Sequence, residues 1–363
     1  MVDSMDYNSI RRKTKQITVG RVKIGKDAPV SVQSMTNTDT MDFDATYAQI
    51  SALESAGCDI VRLAVPKIEA AKTIYRLKEA GVKIPLVADI HFDYKIALEC
   101  VECGADKIRI NPGNIGDDDR VRAVANACAN RGVPIRVGVN SGSLNKEVLA
   151  KYGSPTPEAL AESAMTHVKL LQKFDFDDIC IAIKSSSPSF MIAANRAIAS
   201  LTDHPIHIGV TEAGTPKIGI MRSSVGIGSL LCDGIGDTLR VSLTADPVKE
   251  VEAGRDLLAA VGIAYIGGVN IVSCPTCGRT RLDLIGIANE LERRCKSGDT
   301  HPSRPVTAAV MGCAVNGPGE ASEADVGIAG GVGEALLFKK GVICGKVSES
   351  EAVDALINAI NEL

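Results

Sequence analysis

The chain has 363 residues, 45% of them hydrophobic, and a formal net charge of -4, which suits one large domain with a small one and gives no general attraction to nucleic acid. It contains no apolar run of the roughly 18 residues that a membrane-spanning helix needs. Residues 1–16 show no signal-peptide apolar segment, so the cytoplasm is the expected location.

Aromatic residues make up 3% of the chain and Trp is absent. The core must therefore be Val, Ile, Leu and Ala, which suits parallel strands buried on both faces. Eleven cysteines, an odd count without a secretion signal, argue against a disulfide framework. Cys58, Cys128, Cys180 and Cys232 sit in apolar segments and read as small buried residues.

Residues 18–24 read as a short hairpin, a lid for a barrel floor. Apolar, β-branched runs then alternate with helical stretches. Strands are predicted at 30–36, 59–65, 85–90, 107–111, 135–140, 179–184, 206–211 and 238–243. Helices are predicted near 45–56, 68–80, 94–103, 119–131, 156–173, 189–201, 216–230 and 247–261. Eight strands, each followed by a helix, predict an α/β fold of the TIM-barrel, (β/α)8, type. An open doubly wound sheet fits the same alternation, but no GxGxxG follows the first strand.

The rhythm changes after Gly262. Strands are predicted at 269–272, 306–311, 325–329, 335–338 and 342–347, with a helix at 280–296. Ser348 and Glu351 form a capping box that opens a last helix with Val353, Leu356, Ile357 and Ile360 on its apolar face. The domains expected are a barrel over 1–264 and a small α+β domain over 265–363.

A barrel of this kind places its active site at the C-terminal ends of the strands. Those ends carry Arg62; Asp89 and His91; Arg109 and Asn111; Arg136 and Asn140; Lys184 with Ser185 and Ser186; Glu212; and Arg240 with Ser242. Arg109 and Asn111 share one strand face, as do Arg136 and Asn140, and Arg240 and Ser242. Like charges gathered in a pocket repel and are costly to desolvate unless an anion joins them. One reading is a site for two phosphates, gripped by guanidinium forks and a lysine point charge, with Ser185–Ser187 and Gly226–Gly228 adding donors. The other is a structural network in which the cations pair with Asp59, Asp89, Asp106 or Glu212. His91, Asp89 and Glu212 are the candidate proton-transfer groups. No G-x-x-x-x-G-K-[ST] motif is present, so the site is not a nucleoside-triphosphate cradle.

Cys274 and Cys277 leave a strand with Pro275 between them and Gly278 after, a spacing that suits one metal centre. Cys313 leaves a second strand among Gly312, Gly317 and Gly319, where glycine lets backbone approach a bulky inorganic group. Glu320 follows seven residues on. Cys100 and Cys103 share the spacing but fall on a predicted helix and read as structural. Two metals are open: an iron–sulfur cluster on three thiolates with Glu320 as a weaker oxygen ligand, or a structural zinc completed by Cys295.

Taken together, CPTCGR at 274–279 and MGCAVNGPGEA at 311–321, with VQSMTNTDT, VRLAVP, ADIHFD, KIRINPGN, RVGVNSGSL, KSS, GVTEAG and GDTLRVSL, resemble the bacterial 4-hydroxy-3-methylbut-2-enyl diphosphate synthases. The likeness runs from about residue 15 onward, in the short form without the middle domain of plant-type members. It implies a [4Fe-4S] cluster on Cys274, Cys277, Cys313 and Glu320. The reaction implied is reductive ring opening and dehydroxylation of 2-C-methyl-D-erythritol 2,4-cyclodiphosphate, late in the methylerythritol phosphate route to isoprenoids. Arg62, Arg109, Arg136, Lys184, Arg240 and Ser242 match diphosphate-gripping positions, Asn140 and Asn316 further substrate contacts, and Glu212 a proposed acid. Flavodoxin or ferredoxin is the implied electron donor, and a head-to-tail homodimer the implied assembly. The competing reading is a barrel transferase for a phosphorylated substrate with a structural zinc domain.

Overall fold

The computed structural model of the protein describes residues 7–140, 144, 146–265, 267–313, 319 and 321–363. Two units divide it, Tyr7–Leu257 and Leu258–Leu363.

In the first unit a short antiparallel hairpin, β1 (Ile17–Val19) and β2 (Val22–Ile24), precedes eight parallel strands. These are β3 (Ser31–Met35), β4 (Ile60–Ala64), β5 (Leu86–Asp89), β6 (Lys107–Ile110), β7 (Ile135–Asn140), β8 (Ile179–Lys184), β9 (His207–Ile208) and β10 (Thr238–Leu239). Their spatial order is β8-β7-β6-β5-β4-β3-β10-β9, and a parallel bridge from Ile181 to Ile206 closes the ring. The fold is the expected (β/α)8 barrel.

Local chemistry explains the alternation. Asp42, Asp93, Asp117, Thr156 and Ser187 each turn a side-chain oxygen onto a backbone N–H of the helix that follows. Pro opens the helices Pro157–Gln172, Pro188–Ala199 and Pro216–Cys232. Gly132, at φ 64° and ψ 33°, ends the helix Asp118–Arg131 and sends the chain back into β7.

In this unit three expectations differ from what is observed. Strands 206–211 and 238–243 shrink to two residues each. A Cβ on Gly209 would sit 2.5 Å from the Arg240 carbonyl oxygen; beyond this close approach the chains keep single backbone bonds, Arg240 N to Ile208 O and Thr211 N to Ser185 O, without a ladder. Cys232 is exposed, unlike Cys58, Cys128 and Cys180, because it lies seven residues on from the exposed Val225, on the solvent face of its helix. Gly226 lies inside the helix Pro216–Cys232, packed so closely that a Cβ would meet Val210 and Met191 at 2.7 and 2.8 Å; it serves helix packing rather than a phosphate loop.

The hairpin covers the barrel floor. Ile17, Val19 and Ile24 pack with Ile60, Val87 and Cys180 from the lower ends of β4, β5 and β8.

The second unit is a five-stranded sheet of β11 (Val269–Ser273), β12 (Val306–Met311), β13 (Val326–Gly330), β14 (Glu334–Lys339) and β15 (Val342–Ser348), in that spatial order. The first three strands are parallel and the last three antiparallel. The helices Leu284–Lys296 and Ala352–Asn361 bury Leu284, Ile287, Leu291, Leu356, Ile357 and Ile360 on it. Each such side chain contributes about 1.5–3 kcal/mol of transfer free energy. The first helix starts four residues later than the sequence suggests, because Asp283 caps it through Gly286 N while Thr280 and Arg281 bond to Cys277 and Gly312. The Ser348–Glu351 capping box forms as expected.

Candidate active site

Residue register gathers the predicted cations. Arg62 lies opposite Met35, Arg109 opposite both Asp89 and Arg136, and Asn140 opposite Lys184. Asp89, 3% exposed, receives Arg62 at 3.1 Å and Arg109 at 3.0 Å, with the His91 ring 3.6 Å away. Burial pushes the Asp89 carboxyl up, but Arg62, then His91 and Arg109, outweigh it and hold the group well below its ordinary range. Asp89 is therefore an ionised anchor for two arginines. Arg240 donates through Nε and Nη2 to both oxygens of Glu250, at 3.0 and 3.1 Å.

Arg136 is different. It is 1% exposed, and its guanidinium donates to Gln33 Oε1 at 3.1 Å while its Nε has no partner. No carboxylate among the described residues pairs with it. Lys184, half-buried at the end of β8, likewise has no ion-pair partner among them. Burial and the neighbouring Arg240, Arg62, Arg136 and Arg109 press Lys184 well below the usual lysine range. Burial, with Arg136, Arg240 and Arg109 and against Asp89, brings Arg62 down to about 9. These cross-influences place the five basic side chains in one electrostatic cluster, with Asp89 and Glu250 as its carboxylates.

The remaining candidates sit around this cluster in different ways. Glu212, exposed beyond β9, holds φ at 53°, a left-handed conformation that costs a non-glycine residue about 1–3 kcal/mol and is concentrated at functional sites. His91 is 60% exposed at the mouth. Ser242 is half-buried and Asn140 ends β7. Asn111 is 5% exposed, and its side chain accepts from Gly113 N at 3.2 Å, capping the turn Pro112–Asn114. The Ser185 and Ser187 hydroxyls also serve local backbone, at Ser187 N and Phe190 N.

Sequence reasoning missed Glu250, Gln33 and Met35. Met35 Sδ lies 3.1 Å from Arg62 Nε and 3.5 Å from Arg240 Nη1. Glu250 also accepts from Ser34 Oγ and Leu243 N. His207 is fully buried, its Nδ1 3.4 Å from Thr238 Oγ1, and burial with the surrounding cations keeps the ring neutral. The signal available for Gln33 and Met35 was their shared face on the first barrel strand.

In the second unit, Ser273 is paired with Val310 in parallel register. The segments carrying Cys274–Cys277 and Cys313 therefore leave adjacent strands at the same end of the sheet. Gly312 N donates to Cys274 Sγ at 3.2 Å, the kind of backbone donor that a cluster-ligating sulfur uses. Cys277 is exposed, and the Arg279 backbone N–H, helped by Thr280 and the Arg279 charge, favours its thiolate. A Cβ on Gly278 or Gly319 would meet nothing within 4 Å. Cys295, the thiolate that a zinc site required, is instead 3% exposed in the core with Leu291 and Ile357, where burial raises its pKa. Among the described residues no three His, Cys, Asp or Glu side chains stand close enough to hold one metal ion. Glu320 and Asn316 lie outside the described residues.

Known proteins bear on both units. Residues 14–255 match the GcpE TIM-barrel domain, and residues 270–362 match the GcpE protein C-terminal domain. A protein of Clostridium perfringens named 4-hydroxy-3-methylbut-2-en-1-yl diphosphate synthase (flavodoxin) is 54% identical over 354 residues, 97% of this chain and 99% of that one. A protein of the same name from Ruminiclostridium cellulolyticum is 55% identical over 353 residues, 97% of this chain and 98% of that one. Among solved structures, a truncated 3-deoxy-D-arabino-heptulosonate 7-phosphate synthase from Thermotoga maritima superposes with a TM-score of 0.51 at 12% identity. It covers 69% of this chain and 94% of that one, a likeness of barrel fold alone.

Proposed function

This chain belongs to the GcpE family, and from that membership we propose that it is an oxidoreductase that forms 4-hydroxy-3-methylbut-2-enyl diphosphate from 2-C-methyl-D-erythritol 2,4-cyclodiphosphate. The observation that carries this reading is Arg136, a buried guanidinium without a carboxylate partner among the described residues. Burying a charge without a partner costs several kcal/mol, and a bound diphosphate offsets that cost. Arg62, Arg109, Lys184, Arg240 and Ser242 complete the grip, with Asn111, Asn140 and Asn316 as further contacts. Asp89 and Glu250 hold three of the arginines in place, so the guanidinium forks are preorganised for the charge that grows on the diphosphate as the ring opens. His91 and the strained Glu212 are the exposed groups at the mouth fitted to move protons.

Cys274, Cys277, Cys313 and Glu320 are the residues that would hold a [4Fe-4S] cluster. The shared sheet end, the Gly312 N–H on Cys274 and the exposed, thiolate-favouring Cys277 support that assignment. Such a cluster supplies single electrons, two per turnover, and an iron with a weakly held oxygen ligand as Lewis acid. Flavodoxin or ferredoxin is the proposed donor, in line with the relatives' name. A head-to-tail homodimer in the cytoplasm is part of the same proposal, on the strength of the family resemblance.

Two measurements on anaerobically purified protein test this. Iron and acid-labile sulfide should be found together, and a chemical reductant with the cyclodiphosphate should yield the open-chain allylic diphosphate. Zinc without sulfide, or no allylic product from cluster-loaded protein, would overturn the assignment.

A further inference from the structure

Lys107 opens β6 two residues before Arg109 and on the same face of the strand. Its side chain is fully buried, and its Nζ has no hydrogen-bond partner. Gln33 Nε2, Arg136 Nε and His207 Nε2, on β3, β7 and β9, are buried and unpartnered in the same way. The groups that act on Lys107 from the strands around it are Cys180, Arg136, Arg62 and His207. None is a carboxylate. A buried ammonium without a counter-ion is unfavourable, so in the ligand-free barrel the amine sheds its proton once the pH rises above about 7. Burial lowers its pKa to about 7; negative charge on Cys180 would oppose this, and Arg136 and Arg62 reinforce it.

An anion seated on Arg62, Arg109, Arg136, Lys184 and Arg240 reverses that balance. We propose that Lys107 takes up a proton from solvent when a diphosphate binds above it, so that the barrel matches its charge to that of its ligand. The proton comes from buffer, adds to the amine lone pair, and is returned when the ligand leaves. The added cation also lies below the diphosphate when ring opening frees a further negative oxygen. This inference rests on the barrel being the diphosphate site.

The test is isothermal titration calorimetry of cluster-loaded protein with the cyclodiphosphate, without reductant, at about pH 8 in buffers of different ionisation enthalpy. Each phosphorus of the cyclic ligand bears a single strongly acidic hydroxyl, so the ligand itself does not titrate there. Lys184 contributes its own uptake, so the quantity read is the difference between wild type and Lys107→Met. The wild type should take up about one more proton per site than the variant. Binding with equal uptake overturns this inference alone; no binding by the wild type overturns the functional reading and this one with it. Should Lys107→Met fail to fold, 13Cε-lysine spectra of Lys184→Gln protein decide. One lysine titrating below about pH 9, and moving above it with ligand, supports the inference; its absence overturns it.

Discussion

Arg136 shows how much one side chain can say about a site. Truncation to alanine removes a buried charge that a diphosphate would otherwise meet, an effect of about 2–5 kcal/mol. Arg136→Ala should therefore raise the KM for the cyclodiphosphate by roughly 30-fold or more, and Arg136→Lys should recover part of the loss. Equal, wild-type values in both would make Arg136 structural. Glu212 makes a different statement. Its φ of 53° suits glycine, so Glu212→Gly should leave stability unchanged or raise it by about 1 kcal/mol while turnover collapses. A melting temperature well below wild type would remove the idea of strain held for function. Lys107 sets a pH dependence. Its folded-state pKa, about 7, lies below the ordinary 10.5. Between these values the unfolded chain holds a proton that the folded one lacks, so stability from this group rises with pH across the window. Below about 7 the cost is fully present. Ligand-free Lys107→Met should thus be more stable than wild type by roughly 3–5 kcal/mol at pH 6, a gain that shrinks towards pH 10.5. Urea unfolding at several pH values reads this, and a pH-independent difference would contradict it.

At the scale of elements, the hairpin of β1 and β2 is more than an appendage. Ile24 is fully buried among Ile60, Val87 and Cys180, so Ile24→Ala should cost about 2–5 kcal/mol and open Cys180 to alkylation, located by peptide mapping. A fully protected Cys180 in a destabilised variant would show that the floor is closed by other means. Most elements were legible because buried parallel strands are apolar runs and the helices between them carry their own caps. The short β9 and β10 were not: their residues are as apolar as those of longer strands, and only the approach of Gly209 to Arg240 ends the ladder. Glu250 was hidden for a related reason. It lies on the helix after β10, and nothing in a one-dimensional pattern tells a helix carboxylate that turns back onto an arginine from one that faces water.

For the whole molecule, each unit has its own core. Cys277→Ser, which removes a proposed cluster ligand, should lower the thermal transition of the Leu258–Leu363 unit and leave that of Tyr7–Leu257 within about 1 °C. Calorimetry of metal-loaded protein checks this; a parallel fall of both transitions would mean that they unfold as one. The paired motifs at 274–279 and 311–321 suggested the proposed metal centre in the sequence, and the adjacent parallel strands β11 and β12 bring the two distant segments to one end of the sheet. Glu320 and Asn316 rest on the resemblance, since side chains on a Gly- and Pro-rich segment follow no periodicity that would aim them.

The covered floor has one more consequence. A vessel sealed at its base is filled and emptied by its mouth, and a ligand seated there becomes the stopper. A proton bound for Lys107 must then arrive ahead of the ligand or alongside it, and it stays until the stopper is drawn. Occupancy and the charge of Lys107 are locked in step by the order of entry, so above about pH 7 each turnover ends with that amine neutral again before the next ligand is received.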